Sequence, residues 1–214
     1  MRLIASAMLA AALAGGSAFA AVVPAYTGPA APITATRATA VFAGGCFWGV
    51  DAVFKHVKGV LDVVSGYSGG SAATAKYLIV GTGATGHAES VQVTYDPSKV
   101  TYADLLRVFF GVAHDPTELD HQGPDYGTQY RSVVFYANDE QKAIAERYIA
   151  ELDRAKVFAK PIVTEVTPLK GFYPAEAYHQ NFLERHPDNP YIVYNDLPKL
   201  ARLKQDFPDW YHPL

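Results

Sequence analysis

The stretch 38-ATAVFAGGCFWGVDAVFKHV-57 predicts a strand that leads directly into a helix. Residues 38–44 form a short apolar run, which is typical of a buried strand. After the glycines, four apolar residues recur at the helical spacing i, i+3, i+4, i+7, namely Val50, Val53, Phe54 and Val57. Cys46 therefore lies in the turn between a strand and the first turn of a helix.

The segments downstream continue the alternation of strands and helices. Residues 59–67 (GVLDVVSGY) predict a second strand, and residues 88–95 (AESVQVTY) alternate strictly, as a third strand with one core-facing side does. Thr101 and Asp104 have the spacing of a capping box, which would open a second helix. Residues 131–137 (RSVVFYA) predict a fourth strand. The order β-α-β-β-α-β is the split βαβ arrangement of ferredoxin-like folds, so we expect an α+β domain.

The rest of the chain predicts additions to this core. Asn138 would cap a long helix, whose apolar face comprises Ile144, Tyr148, Ile149 and Leu152. Residues 161–166 (PIVTEV) predict an extra strand, at a sheet edge because it opens with a proline. From Phe172 the chain is aromatic and interrupted by prolines, so we expect a wrapping C-terminal tail with one short helix near residues 175–186. We therefore expect residues 37–214 to form a single domain.

The first residues of the chain have the layout of a secretory signal peptide. Residues 1–20 begin with a positive charge at Arg2, continue with the apolar run 3–14 and close on an Ala-Phe-Ala pattern. We expect cleavage after Ala20 and export to the periplasm or the medium. A retained membrane anchor is the alternative, but the apolar run is shorter than the roughly 20 residues that span a bilayer. Residues 21–36, rich in Ala, Pro and Thr, predict a flexible lead-in.

Composition and charge restrict the partners. Half of the 214 residues are hydrophobic, so a sizeable core can form, and only 18% are charged. The formal net charge is −3 and no basic cluster occurs, which makes nucleic acid and anionic membrane surfaces poor partners.

Cys46 is the only cysteine of the chain. A lone cysteine cannot form an internal disulfide, so it is either a buried core side chain or a reactive thiol. The glycines and aromatic residues around Cys46 favour the reactive thiol, since core packing does not need three glycines within six residues. The amides and dipole at the N-terminus of the helix would lower the pKa of this thiol.

Glu89 lies at the start of the alternating strand, on the side expected to face the core. Burial would raise the pKa of its carboxyl and leave it protonated, able to act as an acid. The alternative is a frayed strand end with Glu89 in water. Gly81–Gly86 form a G-x-G-x-x-G pattern, but a strand rather than a helix follows it, so it predicts a loop that positions Glu89 and not a nucleotide site.

A long polar segment, residues 114–132 (HDPTELDHQGPDYGTQYRS), joins two predicted elements. Segments of this length are often functional, and Asp125, Gln129, Tyr130 and Arg131 are candidates to line a pocket, although a solvated connection is the alternative. The seven histidines have no metal-ligand spacing to one another or to Cys46, so we expect no metal site.

Four motifs resemble those of the peptide methionine sulfoxide reductase A family: GGCFWG, TGHAES, the polar segment quoted above, and FYPAEAYHQ. They occur in order between residues 40 and 181. The resemblance implies that Cys46 attacks the sulfoxide sulfur of an oxidised methionine and becomes a sulfenic acid, and that Glu89 supplies a proton to the sulfoxide oxygen. It further implies action on the S epimer, in oxidised proteins or peptides and in free methionine sulfoxide, without a cofactor or metal.

The same resemblance implies roles in substrate binding. Phe47 and Trp48 match the walls that receive the substrate methyl group. Tyr77 and Tyr130 match two phenols that point at the sulfoxide oxygen, and Asp125 matches a supporting polar residue. We expect a monomer.

The chain departs from many members of this family in having no second cysteine, either in its C-terminal tail or elsewhere. Cys46 therefore has no resolving partner within the chain. Recycling of its sulfenic acid would need an external thiol, either a thioredoxin-like protein or a small thiol.

Two other functions use the same residues. A thiol peroxidase would apply Cys46 to hydroperoxides. A binding domain without catalysis would present Phe47, Trp48 and the tyrosines as a recognition surface.

Overall fold

The computed structural model describes residues 22–33 and 35–214. These described residues contain eight strands, with the bounds β1 Ala38–Gly44, β2 Val60–Ser68, β3 Ala88–Tyr95, β4 His121–Gln122, β5 Asp125–Tyr126, β6 Ser132–Tyr136, β7 Glu165–Pro168 and β8 Phe172–Pro174. The α-helices of the described part are α1 Phe47–Lys55, α2 Tyr77–Val80, α3 Tyr102–Val108, α4 Asp139–Arg154, α5 Phe182–Arg185 and α6 Leu197–Asp206.

Six of the strands form one mixed sheet in the order β7-β6-β1-β3-β2-β8. β6 and β7 pair in parallel, and the other neighbours pair antiparallel. The fold is thus a mixed α/β fold. The register pairs Tyr67 of β2 with Glu89 of β3, at the end of β3 from which the site is built.

Several elements predicted from local sequence patterns are present in the structure. β1 begins and ends with the predicted run, and β3 has the predicted bounds. The capping box is confirmed, since Thr101 Oγ1 accepts from the Asp104 backbone N–H at 3.1 Å and Asp104 Oδ2 accepts from the Thr101 N–H at 3.0 Å. Asn138 caps α4 by accepting from the Gln141 N–H at 2.9 Å.

The main core lies between the sheet and the helices α1, α3 and α4. Phe42 of β1 stacks on Phe54 of α1 at 5.2 Å and on Phe109 beyond α3 at 5.0 Å between ring centroids. The flanking residues Val41 and Ala43 of β1 belong to a smaller cluster on the opposite face of the sheet. This alternation fixes β1 in the middle of the sheet with one end at Cys46.

The predicted edge strand over residues 161–166 is displaced toward the C-terminus. The edge strand is β7, Glu165–Pro168, because the preceding N–H groups are already used: Ile162 donates to Asp153 Oδ1 and Val163 donates to the Pro116 carbonyl. The sequence also missed β8, which adds to β2 at the other edge.

The C-terminal segment contains more helix than the one short helix predicted. α5 lies within the expected range, but α6 was missed because Pro198 reads as a helix breaker. Pro198 occupies the first turn of α6, where its missing N–H costs no hydrogen bond. α6 packs against α1 and brings the C-terminal segment to the site.

The part of the predicted flexible lead-in near Val23 packs against the domain. Val23 is buried, and its carbonyl accepts from Arg107 Nε at 2.7 Å. Tyr148 Oη donates to the Pro24 carbonyl, and Thr27 Oγ1 donates to Glu151 at 2.8 Å. These contacts could not be predicted from local sequence, because the partner residues lie far along the chain.

The predicted signal peptide, residues 1–20, lies outside the described residues. Within the described part, no helix is both long enough and apolar enough to cross a bilayer.

Candidate active site

Cys46 lies between the end of β1 and the first turn of α1, as the N-cap residue of that helix. Its side chain is 9% exposed and has no disulfide partner. Gly45 before it has a φ of +87°, and a Cβ there would lie 2.6 Å from Gln122 Cβ. Only glycine tolerates both the left-handed backbone and this close approach, so the sequence Gly-Cys sets the direction of the thiol.

Glu89 is buried beside this turn. Its carboxyl is 3% exposed, and its Oε2 accepts from the Phe47 backbone N–H at 3.1 Å. The core-facing prediction is confirmed, and the alternative of Glu89 in water is wrong. Burial raises the pKa of Glu89 to about 8, against the opposing effect of the Phe47 N–H. The carboxyl is therefore protonated at neutral pH and able to donate.

The predicted low pKa of Cys46 is wrong. Burial raises the pKa of the Cys46 thiol well above its ordinary value, and negative charge on Glu89 or Asp196 would raise it further. The Trp48 N–H at the helix end and the ammonium of Lys199 oppose this effect but do not outweigh it. The free site therefore holds a neutral thiol beside a neutral carboxyl, because desolvation dominates over the helix dipole here.

Trp48 and Phe47 follow Cys46 directly and differ in accessibility. Phe47 is 1% exposed and can only back the site, whereas Trp48 is half-buried. One face of the Trp48 indole stacks on Phe182 at 3.6 Å, and its Nε1 donates to His179 Nδ1 at 3.1 Å. The indole is thus fixed in orientation by two residues of the C-terminal segment.

Tyr77, Tyr130 and Asp125 interact electrostatically with the Cys46 thiol or the Glu89 carboxyl. Burial raises the pKa of Tyr77, and negative charge on Glu89 or Cys46 would raise it further. Burial likewise raises the pKa of Tyr130, with Glu89 and Asp125 as the next causes. Their phenols therefore lie within electrostatic reach of the thiol and the carboxyl and keep their protons. This coupling places Tyr77, Tyr130 and Asp125 near Cys46 and Glu89.

Asp125 is partly buried, and its Oδ2 accepts a hydrogen bond from the Tyr191 hydroxyl. The Tyr191 ring also contacts Trp48 edge-on at 5.8 Å. Sequence reasoning missed Tyr191, since nothing in the local pattern of the C-terminal segment marks it. Tyr191 therefore links Asp125 of the polar segment to the Trp48 indole.

Glu176 and His179 belong to the motif FYPAEAYHQ. This motif supported the family resemblance, but the sequence alone did not assign a role to either residue. Glu176 accepts from Tyr67 Oη and from the Tyr77 backbone N–H, both at 2.9 Å. His179 must carry its proton on Nε2, because its Nδ1 accepts from the indole. These two residues hold Tyr77 and Trp48 in place.

The remaining candidates of the polar segment are structural. Arg131 donates to the carbonyls of Gly86 and His87 at 3.0 and 3.3 Å, and Gln129 is buried with its amide toward the Gly81 carbonyl at 3.4 Å. They fasten the glycine loop ahead of Glu89, as the loop prediction requires. Across residues 22–33 and 35–214, no group of three or more His, Cys, Asp or Glu side chains could hold a metal ion.

Asp196 packs against the first turn of α1 at Gly49, where the absence of a side chain leaves room for its carboxylate. It is 1% exposed, and its Oδ1 lies 3.2 Å from Lys199 Nζ. A Cβ on Gly49 would lie 2.0 Å from that oxygen. Gly49 is therefore required for α6 to seat against the turn that carries Cys46.

We expect Gly49→Ala to displace Asp196 and to destabilise the protein by about 1–3 kcal/mol, the usual cost of overpacking a buried site. The melting temperature should fall by several degrees. Gly111→Ala is the matched control, since its Cβ would meet Val23 and Phe207 at ordinary distances of 3.4 and 3.5 Å. Equal melting temperatures for the two variants would contradict this account.

A mixed α/β domain that holds a lone buried thiol against a neutral carboxyl and two phenols defines a cysteine-based redox enzyme. A family model described as peptide methionine sulfoxide reductase matches residues 38–210. The chain is 65% identical to peptide methionine sulfoxide reductase MsrA 2 of Mesorhizobium japonicum over 173 residues, which covers 81% of this chain and 89% of that protein. It is 49% identical to MsrA of Thermus thermophilus over 174 residues, covering 81% and 97%.

Solved structures of methionine sulfoxide reductases are also similar to this chain. Reduced Mxr1 from Saccharomyces cerevisiae superposes with a TM-score of 0.68 at 32% identity, covering 78% of this chain and 94% of that one. Methionine sulfoxide reductase A of Corynebacterium diphtheriae superposes with a TM-score of 0.62 at 35% identity, covering 72% and 77%. The chain belongs to the peptide methionine sulfoxide reductase family. It is an enzyme that reduces methionine sulfoxide for protein repair.

Proposed function

We propose that Cys46 and Glu89 carry the chemical step of this reductase. Cys46 Sγ attacks the sulfoxide sulfur while Glu89 donates its proton to the sulfoxide oxygen, which is a poor leaving group unless protonated. The methionine sulfur gains two electrons and Cys46 loses two, so thiol plus sulfoxide give sulfenic acid plus methionine. The observation that carries this proposal is the buried, neutral Glu89 anchored to the backbone N–H next to Cys46.

The resting protonation of the pair decides how the proton moves. Because burial keeps the Cys46 thiol neutral, its proton must leave as the sulfur attacks. Glu89 becomes a carboxylate when it protonates the substrate, and we propose that it then takes up the thiol proton. Glu89 would thus serve as acid first and base afterwards, and the carboxyl ends the step in its starting form.

The surrounding residues position the sulfoxide. We propose that Tyr77 and Tyr130 donate their hydroxyl hydrogens to the sulfoxide oxygen, and that Trp48, backed by Phe47, receives the methyl group. Asp125 supports this side by accepting from Tyr191. An acid, two phenol donors and an indole around one thiol would distinguish the two epimers of the sulfoxide, and we propose that the S epimer is the substrate, as the family resemblance implies. Peptide-bound and free methionine sulfoxide would both be substrates.

Recycling is proposed to need an external thiol. The chain contains one cysteine, so the sulfenic acid of Cys46 has no internal thiol to react with. A thioredoxin-like protein or a small thiol would form a mixed disulfide with Cys46 and a second thiol would release it. We also propose that the protein is a monomer.

The finer description of the fold and its location is also proposed. The antiparallel order β6-β1-β3-β2 supports a ferredoxin-like split βαβ core, to which β7 and β8 are additions. The family match over residues 38–210 supports one catalytic domain over 37–214. The sequence pattern of residues 1–20 supports export to the periplasm or the medium, which N-terminal sequencing of the expressed, fractionated protein would test.

Resolved epimers test the proposed function. With dithiothreitol as reductant, we expect turnover of the S sulfoxide of N-acetylmethionine amide and no turnover of the R sulfoxide above the background of reductant alone. Consumption of the R epimer, or a faster reaction with hydroperoxide than with either sulfoxide, would contradict the proposal. The second result would favour a thiol peroxidase.

A further inference from the structure

Asp196 and Lys199 form an ion pair at the turn that carries Cys46. Lys199 Nζ donates to Asp196 Oδ1 at 3.2 Å. A Cβ on Gly49 would lie 2.7 Å from the Asp196 carboxyl carbon and 2.8 Å from Lys199 Nζ. Helical Cβ atoms tilt toward the N-terminus of their helix, and residues three apart share a face. The ion pair therefore packs against the Cys46 end of α1.

The two charges of this pair differ in their access to water. Asp196 is 1% exposed, and its Oδ2 is buried and accepts no hydrogen bond from the described residues. Lys199 instead lines a cavity of about 450 Å³ that also opens onto Cys46. Because little water screens a buried carboxylate, its charge acts more strongly on its neighbours than the charge of a solvated one does. Asp196 is therefore placed to act on the thiol.

The other titratable groups close to the thiol are neutral at pH 7. Burial raises the pKa of Glu89 to about 8 and lowers the pKa of His114, on the cavity wall, to about 4. Burial also raises the pKa of three phenols, which keep their protons: Tyr77, Tyr130 and Tyr191. Asp125, on this side of the site, accepts from the Tyr191 hydroxyl.

The remaining charged side chains of the cavity wall have partners of their own. The pairs are Arg202 with Asp206, Glu118 with the Gly123 N–H, and Asp115 with the Thr117 N–H. Burial raises the pKa of Asp196, and the Lys199 ammonium opposes this, which favours the carboxylate. With Glu89 neutral, Asp196 is the next group whose negative charge raises the pKa of the Cys46 thiol, ahead of the opposing effect of Lys199.

We propose that Asp196 is a positioning residue that decides which oxidants react with Cys46. Its carboxylate, held by Lys199, disfavours a like charge on the sulfur, so the free enzyme presents a neutral thiol. A sulfoxide still reacts, because Glu89 protonates its oxygen and takes up the thiol proton, as the proposed function, on which this inference rests, requires. Hydroperoxides and alkylating agents bring no such acid and base and depend on the thiolate, so they react slowly.

Removal of the Asp196 charge tests the inference. In Asp196→Asn, we expect iodoacetamide to alkylate Cys46 about tenfold faster at pH 7, with the midpoint of the rate against pH lowered by about one pH unit. Hydrogen peroxide should also oxidise Cys46 about tenfold faster. In that reaction the thiolate takes one peroxide oxygen to become a sulfenic acid, and the other oxygen leaves as hydroxide. Mass spectrometry measures both, since Cys46 is the only cysteine.

The reaction with sulfoxide should respond less than the reaction with peroxide. In single-turnover methionine formation from the S sulfoxide, the thiol proton is transferred within the step, so its rate depends less on the thiolate fraction. The ratio of the peroxide rate to the sulfoxide rate should therefore rise in Asp196→Asn. Asp196→Ser is a second uncharged variant with a smaller side chain, and it should show the same rise if the charge is what matters.

Asp51→Asn is the matched control, because it also removes a buried carboxyl paired with a lysine. Asp51 is 1% exposed and lies on α1 itself, and its Oδ2 contacts Lys55 Nζ, one turn further along the helix from Cys46. The folded control should keep the wild-type rates with iodoacetamide and with peroxide. Melting temperatures show that each variant is folded.

Three results would overturn the inference. The first is an unchanged rate with iodoacetamide and peroxide in both folded Asp196 variants. The second is an equal gain in Asp51→Asn, which would assign the effect to loosened packing. The third is a sulfoxide rate that rises as much as the peroxide rate, which would leave the choice of oxidant unaltered. Absence of methionine from the wild type in the single-turnover experiment would instead remove the proposed function, whatever the alkylation rates are.

Discussion

Cys46→Ser is expected to form no detectable methionine from methionine sulfoxide, with or without reductant. A serine oxygen cannot take the place of sulfur as the atom that the sulfoxide oxidises, so the step has no alternative route within the chain. Removal of an enzymatic nucleophile typically lowers the rate by about 10⁵-fold or more. Since Cys46 is the only cysteine, the variant also loses every site for sulfenic-acid probes.

The loss should be chemical and not structural. Cys46 is 9% exposed and forms no disulfide, and serine is nearly isosteric with it. The hydroxyl can accept from the Trp48 N–H that acts on the thiol in the wild type. The melting temperature should therefore change little. Methionine formation by a folded Cys46→Ser protein above the background of reductant alone would contradict the assignment of the nucleophile.

Glu89→Gln is expected to slow single-turnover methionine formation by about 10²–10⁴-fold, the usual contribution of a general acid. The glutamine can still accept from the Phe47 N–H, so the buried hydrogen bond is kept while the transferable proton is lost. Rapid mixing of the reduced protein with excess S sulfoxide, followed by quenching and quantification of methionine, measures this step without recycling. An unchanged rate would contradict the role of Glu89.

The pH dependence of the same step follows from the protonation of Glu89. In the wild type, we expect the rate to fall as pH rises through about 8, because the carboxyl loses the proton that it must donate. In Glu89→Gln this fall should be absent. A wild-type rate that rises through pH 8 would instead mean that ionisation of the thiol controls the step.

Asp51→Asn is the matched control for removal of a buried carboxyl. Asp51 lies on α1, burial raises its pKa to about 7, and its Oδ2 contacts Lys55 Nζ at 2.6 Å. Its partner Lys55 lies one turn further along α1 from Cys46. The folded variant should therefore keep the single-turnover rate and its pH dependence, even though loss of the ion pair lowers its stability.

At pH 7, the Glu89→Gln variant should be more stable than the wild type, although it should be less active. The pKa of Glu89 rises from 4.5 to about 8 on folding, so the unfolded state releases a proton that the folded state keeps. The contribution of Glu89 to the stability of the wild type is thus fully present below pH 4.5 and is lost as the pH rises to about 8. The variant does not titrate there, and at pH 7 it should be more stable by on the order of 3 kcal/mol. Equal denaturant midpoints at pH 5 and pH 7 in both proteins would contradict this.

Much of the fold was predictable because its signals are local. The alternation through β3 placed Glu89 on the core side with Val91 and Val93, and all three are buried. Strand β1 and the capping box of α3 followed from short patterns that the structure confirms. The displaced β7 and the missed α6 depend instead on contacts made elsewhere: N–H groups already used by Asp153 and Pro116, and a proline at a helix start.

The electrostatics of the site could not be predicted from the same patterns. A helix N-terminus lowers a thiol pKa only where the thiol is solvated enough for the dipole to dominate. Nothing near Cys46 in the sequence indicates that Tyr191 and Asp196 return to it from the C-terminal segment. Local sequence therefore nominated Cys46 and Glu89 as candidate reacting groups, whereas their protonation states depend on the packing of distant segments.

The most direct test of the central claim is the stoichiometry of the reaction without reductant. The reduced protein is incubated with excess S sulfoxide of N-acetylmethionine amide, and the methionine derivative is counted per chain. We predict one equivalent, matching the one cysteine, with the gain of a single oxygen atom at Cys46. Several equivalents, or product formed without oxidation of Cys46, would contradict the claim that this thiol takes the oxygen from the substrate.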